Sequence, residues 1–390
     1  MKAPLAAFVA IVAVAGGATF AAQIPAAAQA APVTERNQLQ AGLDDLRDLG
    51  VIGTQGLVRN ADRVTRARSG VADRRTGAPM PPDGYFRIGS NTKTFVSVVV
   101  LQLVGEGRLA LTDPVERWLP DVVSGNGNDG SRVNVRQLLQ QTSGIPDYFE
   151  DVPAFGSAEG YRQHRFDNVS AADLVALAMR HEPVFAPGTH WSYSNTNYIL
   201  AGMIIEKVTG RPWSEAVRSR IIDPLRLSHT SYEDDRSYLP RPHSKGYHQF
   251  TPGGPLVDTT LLNASYGGAA GGLVSTTTDV ARFWQALRRG QLLRPQQMTQ
   301  MHETVLAETF QGFFPGLRYG LGIFWAPNRC GGYWAHPGDA PGTAMVNAVT
   351  EDGSRAAVVY TNTRLADEPA ASAVMARSFQ LLDETICGAE

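Results

Sequence analysis

From Thr92 to Glu106 the chain reads TKTFVSVVVLQLVGE, a run that is apolar on nearly every side when wound as a helix. A helix that is hydrophobic all round has no face to offer to water and must lie buried. Lys93 is caught in its first turn, and Ser90 stands at its N-terminus, three residues earlier. Residues three apart share a helix face. Lysine is scarce here: of 35 basic residues only Lys2, Lys93, Lys207 and Lys245 are lysines. Arginine keeps its proton near neutral pH, whereas a buried lysine gives it up more readily. A serine hydroxyl is a poor nucleophile until a base takes its proton, and a helix N-terminus favours negative charge developing beside it. Ser90 and Lys93 are thus a candidate nucleophile and base. The plainer reading is a helix cap followed by a surface lysine.

Patterning elsewhere predicts an amphipathic helix within 31–50, with Leu39, Leu43, Leu46 and Leu49 at helical spacing, and broken strands over 51–88. Between about 110 and 260 short helical runs alternate with Pro- and Gly-rich loops. Strand candidates return late, in YGLGIFWAP, in GGYWAHPG through TAMVNAVT, and in AAVVYTN, followed by a closing helix at 368–385. Strands at both ends with helices between predict a sheet assembled from the two termini. The expected fold class is α/β (α+β) with a mostly helical second lobe. We expect one two-lobed domain over 31–390. Its α/β lobe takes about 36–108 and 262–390, and its helical lobe about 109–261.

Residues 1–30 have the order of a secretory signal peptide: Lys2, an apolar Ala-rich run, then Ala28-Gln29-Ala30. An uncleaved anchor is the alternative. The expected location is extracellular, with no stable membrane anchor. Charge is balanced, 35 basic residues against 37 acidic, which argues against a nucleic-acid partner. The two cysteines, Cys330 and Cys387, read as one disulfide in a secreted chain, or else as two free thiols. The eight histidines show no metal-ligand spacing, so neither a metal nor another cofactor is expected.

Two further polar clusters stand out. Trp191-Ser192-Tyr193-Ser194-Asn195 leads into a helix, with Tyr193 and Asn195 two apart and facing the same way if extended. His336 and Gly338 lie two apart in a late strand, offering a titratable group beside open backbone. Taken singly, the first is an ordinary capped helix start and the second a lone strand histidine.

Together and in this order, Ser-x-x-Lys, Tyr-x-Asn and His-x-Gly resemble the serine penicillin-recognising enzymes. The branch is that of secreted Streptomyces-type DD-carboxypeptidases, class C β-lactamases, D-aminopeptidases and related esterases. The blocks GVADRRTG, FRIGSNTKTF, QQTSGIPDY, YSNTNYILAGMIIEKVTG, GGLVSTTTDVARFWQAL and YGLGI carry the likeness over about 50–387. The resemblance implies that the sheet is antiparallel and flanked by helices. It further implies an acyl-enzyme on Ser90, with Lys93 and Tyr193 sharing the proton transfers and Asn195 orienting Lys93 and the substrate amide. It sets His336 where many relatives have Lys and makes an oxyanion hole from the N–H groups of Ser90 and Asp339, the residue after Gly338. Tyr266 takes the place of a pocket-wall aromatic, and Asn195, His336, Gly338, Asp339, Tyr266 and Phe324 are the implied substrate-binding residues. The carboxypeptidase pattern, however, has hydroxyl residues where this chain has Pro337 and Asp339, and Arg where it has Phe324. The implied function is a secreted serine hydrolase of the D-alanyl-D-alanine carboxypeptidase and penicillin-binding type. The alternatives are an esterase or D-amino-acid amidase or aminopeptidase, or a non-hydrolysing penicillin-binding module. The implied partners are a peptidoglycan stem peptide or a small acyl donor such as a β-lactam, D-peptide or ester, met by a monomer.

Overall fold

A computed structural model describes residues 35–60, 63–233 and 236–388. Residues 1–30, read from sequence as a signal peptide, lie outside the described residues. The chain begins with helix α1 (Glu35–Asp48), hairpin strands β1 (Gly53–Arg59) and β2 (Val64–Asp73), and the short edge strand β3 (Ala78–Pro79). Helix α2 (Thr92–Gly105) follows, then α3 (Val135–Gln140), α4 (Thr196–Thr209) and α5 (Thr277–Arg288) among shorter helices. Strands resume as β4 (Val305–Leu306), β5 (Arg318–Tyr319), β6 (Phe324–Ala326), β7 (Tyr333–Ala335), β8 (Gly338–Ala340), β9 (Thr343–Val349) and β10 (Ala356–Thr361), before helix α6 (Glu368–Cys387).

These ten strands form one sheet in the order β4-β5-β6-β7-β9-β10-β1-β2-β3, with β8 paired to β9. The strand pairs are antiparallel, and β1 joins the late strands directly, Thr54 opposite Thr361 and Arg59 opposite Ala356. Helices flank this antiparallel sheet, as the family resemblance implies, and the sheet joins strands from both ends of the chain, as the patterning predicts. Successive strand residues point to opposite faces, and the core divides accordingly. Val346, Ala348, Ala357 and Val359 pack with Leu39, Leu43 and Leu46 of α1 and Leu381 and Leu382 of α6. Their neighbours Met345, Val349, Val358 and Tyr360 face the larger core that contains α2 and α5. Helix α5 presents Val280, Phe283, Trp284 and Leu287 to it at helical spacing. Helix α2 is buried almost throughout, Lys93 included.

Three local expectations shift. Helix α1 stops at Asp48, so Leu49 stays 36% exposed; Gly50 turns the chain away at φ +101, a conformation that suits glycine. YGLGIFWAP is two strands rather than one, broken at Gly322 with φ +79. The strand expected from Tyr333 onwards breaks at His336-Pro337 and again before Thr343, because proline has no N–H for the ladder.

Two devices hold the late strands. Cys330 and Cys387 form a disulfide with Cα atoms 5.6 Å apart, joining the start of β7 to the end of α6. Asn91, fully buried, donates to the His336 carbonyl at 2.6 Å and to Asn347 Oδ1 at 3.0 Å. Its own Oδ1 accepts from the Trp284 indole at 3.3 Å. The turn carrying Ser90 is thereby stitched to the strand carrying His336.

Replacing both cysteines by serine should remove up to about 4 kcal/mol, the chain-entropy value for a loop of this length. Asn91→Ala should cost roughly 1–3 kcal/mol for each buried group left unpaired, the His336 carbonyl and the Trp284 indole N–H, since Asn347 Oδ1 keeps the His336 N–H at 3.2 Å. Urea unfolding midpoints measure both, and an unchanged midpoint would contradict the corresponding account.

Candidate active site

Ser90 sits in a single 3-10 turn, Gly89–Asn91, that runs straight into α2. Gly89 has φ +50, and a Cβ there would fall 2.3 Å from the Asp339 carbonyl oxygen and 2.6 Å from its nitrogen. Only a glycine lets the turn press so closely on β8. Gly338 does the same from the other side, where a Cβ would meet the Ile88 carbonyl at 1.8 Å. The backbones of Ser90 and Asp339 are thus brought side by side.

One helical turn on, Lys93 Nζ lies 3.1 Å from Ser90 Oγ, 2.7 Å from Asn195 Oδ1 and 2.8 Å from the Ala270 carbonyl. A neutral amine has two N–H donors and one lone pair. The carbonyl and the amide oxygen match the donors, and the serine hydroxyl matches the lone pair. Burial drives the lysine pKa well down from its ordinary value, and Asp147 partly opposes the shift.

The loop before α4 is held by Gln141, which takes the left-handed conformation at φ +66 just after α3. Its Oε1 accepts from Ser194 N at 3.0 Å and from Asn197 Nδ2 at 2.6 Å, and its carbonyl accepts from Ser192 N at 3.1 Å. Asn195 is oriented by Asp147, whose Oδ2 accepts from Nδ2 at 2.9 Å. The Tyr193 ring centre is 4.8 Å from Lys93 Nζ. Its hydroxyl is buried with no partner at hydrogen-bond distance among the described residues. Burial raises its pKa well above that of an ordinary phenol, and Ser90 is the side chain that most eases the shift. The phenol is therefore neutral at rest.

His336 is 1% exposed. Its Nδ1 lies 2.8 Å from the Pro337 carbonyl and its Nε2 3.1 Å from Tyr319 Oη. A carbonyl only accepts, so Nδ1 carries the proton and Nε2 accepts from the phenol. Burial, reinforced by Lys93, pulls the imidazole pKa down to about 3. It stands as a neutral group behind Tyr193, with ring centres 6.3 Å apart. Phe324 lies further back, edge-on to His336 at 5.1 Å in a cluster with Trp191 and Tyr319.

A cavity of about 1020 Å³ opens over this group. Of the residues singled out from sequence, Ser90, Tyr193, Asn195, Asp339 and Tyr266 line it. Lys93 lies just beneath the surface. His336, Gly338 and Phe324 form its backing rather than its wall. Tyr266 is anchored by its hydroxyl to the His164 carbonyl at 2.7 Å, and Phe155 and Phe149 extend the aromatic wall from it. Five carboxylates line the cavity: Asp147, Glu150, Asp151, Glu182 and Asp339. The basic side chains among its described lining residues are Arg87, His181 and Arg364, and each is already engaged. Arg87 donates to the carbonyls of Ser237, Thr260 and Leu262. His181 pairs with Asp151 at 2.6 Å, and Arg364 with Asp339 at 3.1 Å. Among the described residues no three His, Cys, Asp or Glu side chains gather to hold a metal ion.

Sequence reasoning missed Asp147, Gln141 and Arg364. Asp147 and Gln141 stand in the QQTSGIPDY block, which carried the resemblance but assigned no residue a role. Nothing in the sequence pointed to Arg364, because its partner Asp339 is 25 residues away.

The family model described as "Beta-lactamase" matches residues 34–380. A D-stereospecific amidohydrolase from a Streptomyces species superposes with a TM-score of 0.80 at 40% identity, over 88% of this chain and 98% of that one. The D-amino acid amidase of Ochrobactrum anthropi SV3 gives 0.76 at 29% identity, over 89% and 97%. Esterase EstB of Burkholderia gladioli is 34% identical over 207 residues, about half of each chain (50% and 51%). With its fold and a match over nearly its whole length in agreement, this chain is a serine hydrolase that belongs to the beta-lactamase family.

Proposed function

We propose that Ser90 is the nucleophile and forms a covalent acyl-enzyme, with Lys93 as its base. Lys93 takes the hydroxyl proton through the lone pair that faces Oγ. The serine oxygen attacks the donor carbonyl, and the developing oxyanion is held by the N–H groups of Ser90 and Asp339. One such donor is typically worth about 2.7–4 kcal/mol. Tyr193 passes the proton on to the leaving amine or alcohol, and water then releases the acyl group by the reverse proton path. His336, neutral and bonded to Tyr319, fixes the wall behind Tyr193 and brings no positive charge.

The preferred donor, in this reading, is an amide or ester whose leaving side carries no free carboxylate, with an amine on the donor tolerated or favoured. The observation that carries it is the engagement of every basic side chain among the described lining residues, set among five carboxylates. A terminal carboxylate finds no unpaired cation there, whereas an ammonium group finds several acceptors. The D-stereospecific amidohydrolase and the D-amino acid amidase support the same choice by likeness. The carboxypeptidase and penicillin-binding reading shares the acylation step and differs in needing an anchor for that carboxylate. We also read the protein as exported, since its one disulfide suits an oxidising compartment.

Rates on a D-alanyl-D-alanine peptide and on the same peptide amidated at its C-terminus separate the two donors. The amide should react at least about tenfold faster, equivalent to about 1.4 kcal/mol in the barrier; a preference for the free acid would refute the donor assignment. Lys93→Arg should lower acylation by about 10²-fold or more although charge is kept, because a guanidinium does not yield its proton. In the wild type, acylation should rise with pH through the lowered lysine pKa, since the neutral amine is the working form. A rate that falls over that range would contradict the base assignment.

A further inference from the structure

Asp147 has no part in the steps above, yet Asn195 hangs from it. Asp147 Oδ2 accepts from Asn195 Nδ2 at 2.9 Å, and Oδ1 accepts from the Asn195 and Phe149 backbone N–H groups at 3.1 and 3.3 Å. Asn195 Oδ1 then accepts from Lys93 Nζ at 2.7 Å. A primary amide is nearly symmetric in shape, and its partners decide which end faces where. An ionised carboxylate accepts and does not donate, so it selects the NH₂ end of Asn195 and turns the carbonyl toward the lysine. With the amide reversed, an N–H would point at Nζ and compete with the Ser90 hydroxyl for the amine lone pair.

We propose that Asp147 is a positioning residue for acylation, fixing the Asn195 amide so that the lone pair of Lys93 is left for Ser90 and placing a negative charge behind that amide. The proposal rests on the reading of Lys93 as the base of Ser90.

The surroundings make that charge count. The groups facing Lys93 from other elements are the Tyr193 and Tyr198 rings, with centres 4.8 and 5.6 Å from Nζ, and His336. Burial raises both phenols and lowers the imidazole, so all three are neutral near pH 7. Tyr148 and Tyr193 face Asp147 and are neutral for the same reason. Asp339 acts on Tyr193 from the cavity wall but is paired with Arg364. Asp147 is therefore the charge that opposes the fall in the lysine pKa, and Lys93 in turn opposes the burial-driven rise of the Asp147 carboxyl. Removing the carboxylate charge lowers the proton affinity of Lys93 further.

Asp147 also lines the cavity, where an amine on a donor would reach it. p-Nitrophenyl acetate carries no amine, so it reads the effect on the lysine alone. Acylation of the full chain by this ester, followed as first-turnover p-nitrophenolate release and as the mass of the Ser90 adduct, is to be measured across about pH 5 to 10. Asp147→Asn should lower the plateau about 10- to 100-fold and move the acid limb to lower pH. Asp147→Ser, a second charge-free variant, should displace the limb in the same direction should the first fail to fold. In an Asn195→Ala background, Asp147→Asn should add less than about twofold to the plateau loss. An acid limb that stays in place, an unchanged plateau, or an equal loss in both backgrounds would overturn the proposal. A wild-type protein that acquires no Ser90 adduct would instead remove the nucleophile reading, and this inference with it.

Discussion

The site depends on an amine held in the dry interior at the start of a helix with no polar side. Water would keep Lys93 charged. Burial within α2 makes the charged form expensive, and three nearby oxygens replace the water that was lost. The two acceptors that are not Ser90 take the amine's two N–H groups, which leaves its lone pair for the hydroxyl. Ala270 comes from the one-turn helix Gly268–Gly271 and Asn195 from the loop before α4. The chemistry of one side chain thus needs three distant segments in register.

Close backbone approach supplies that register. Gly89 and Gly338 let the serine turn and β8 touch without side chains between them. Asn91 then locks the turn to the strand through the His336 carbonyl and Asn347. An oxyanion site made of two backbone N–H groups works only if both are rigid, because its benefit comes from dipoles that need not reorganise. The sheet provides the rigidity: β9, which carries β8, is paired along its length with β10, and β10 with β1.

Electrostatics underlies the proposed preference for a donor without a free carboxylate. An aspartate beside an oxyanion site opposes acyl transfer when its charge is free. Here Asp339 turns to Arg364, and the pair stays on the cavity wall with both partners partly exposed, where such a contact is worth little in stability. In the proposed reading its effect is on recognition, since the Arg364 guanidinium is already engaged. Arg87 is likewise held by three carbonyls. In the proposed reading, the arginine absent at 324 has no unengaged basic substitute among the described lining residues.

Much of this was legible in the residues. The strand and helix patterning foretells a sheet built from both ends of the chain, and the all-apolar helix a buried Lys93, because burial follows from periodicity that a chain cannot hide. Ser90, Lys93 and Tyr193 were legible as residue types at characteristic spacings. What sequence alone could not decide was who meets whom. Phe324 and His336 were expected among substrate-contacting groups, yet a bend at Gly322 and another at Pro337 set both behind the wall. Asp147, 54 residues from Lys93, and Arg364, 25 from Asp339, act only through the fold. Proton affinities and charge pairing depend on distances of a few ångströms between segments far apart in the chain, and only tertiary packing sets those distances.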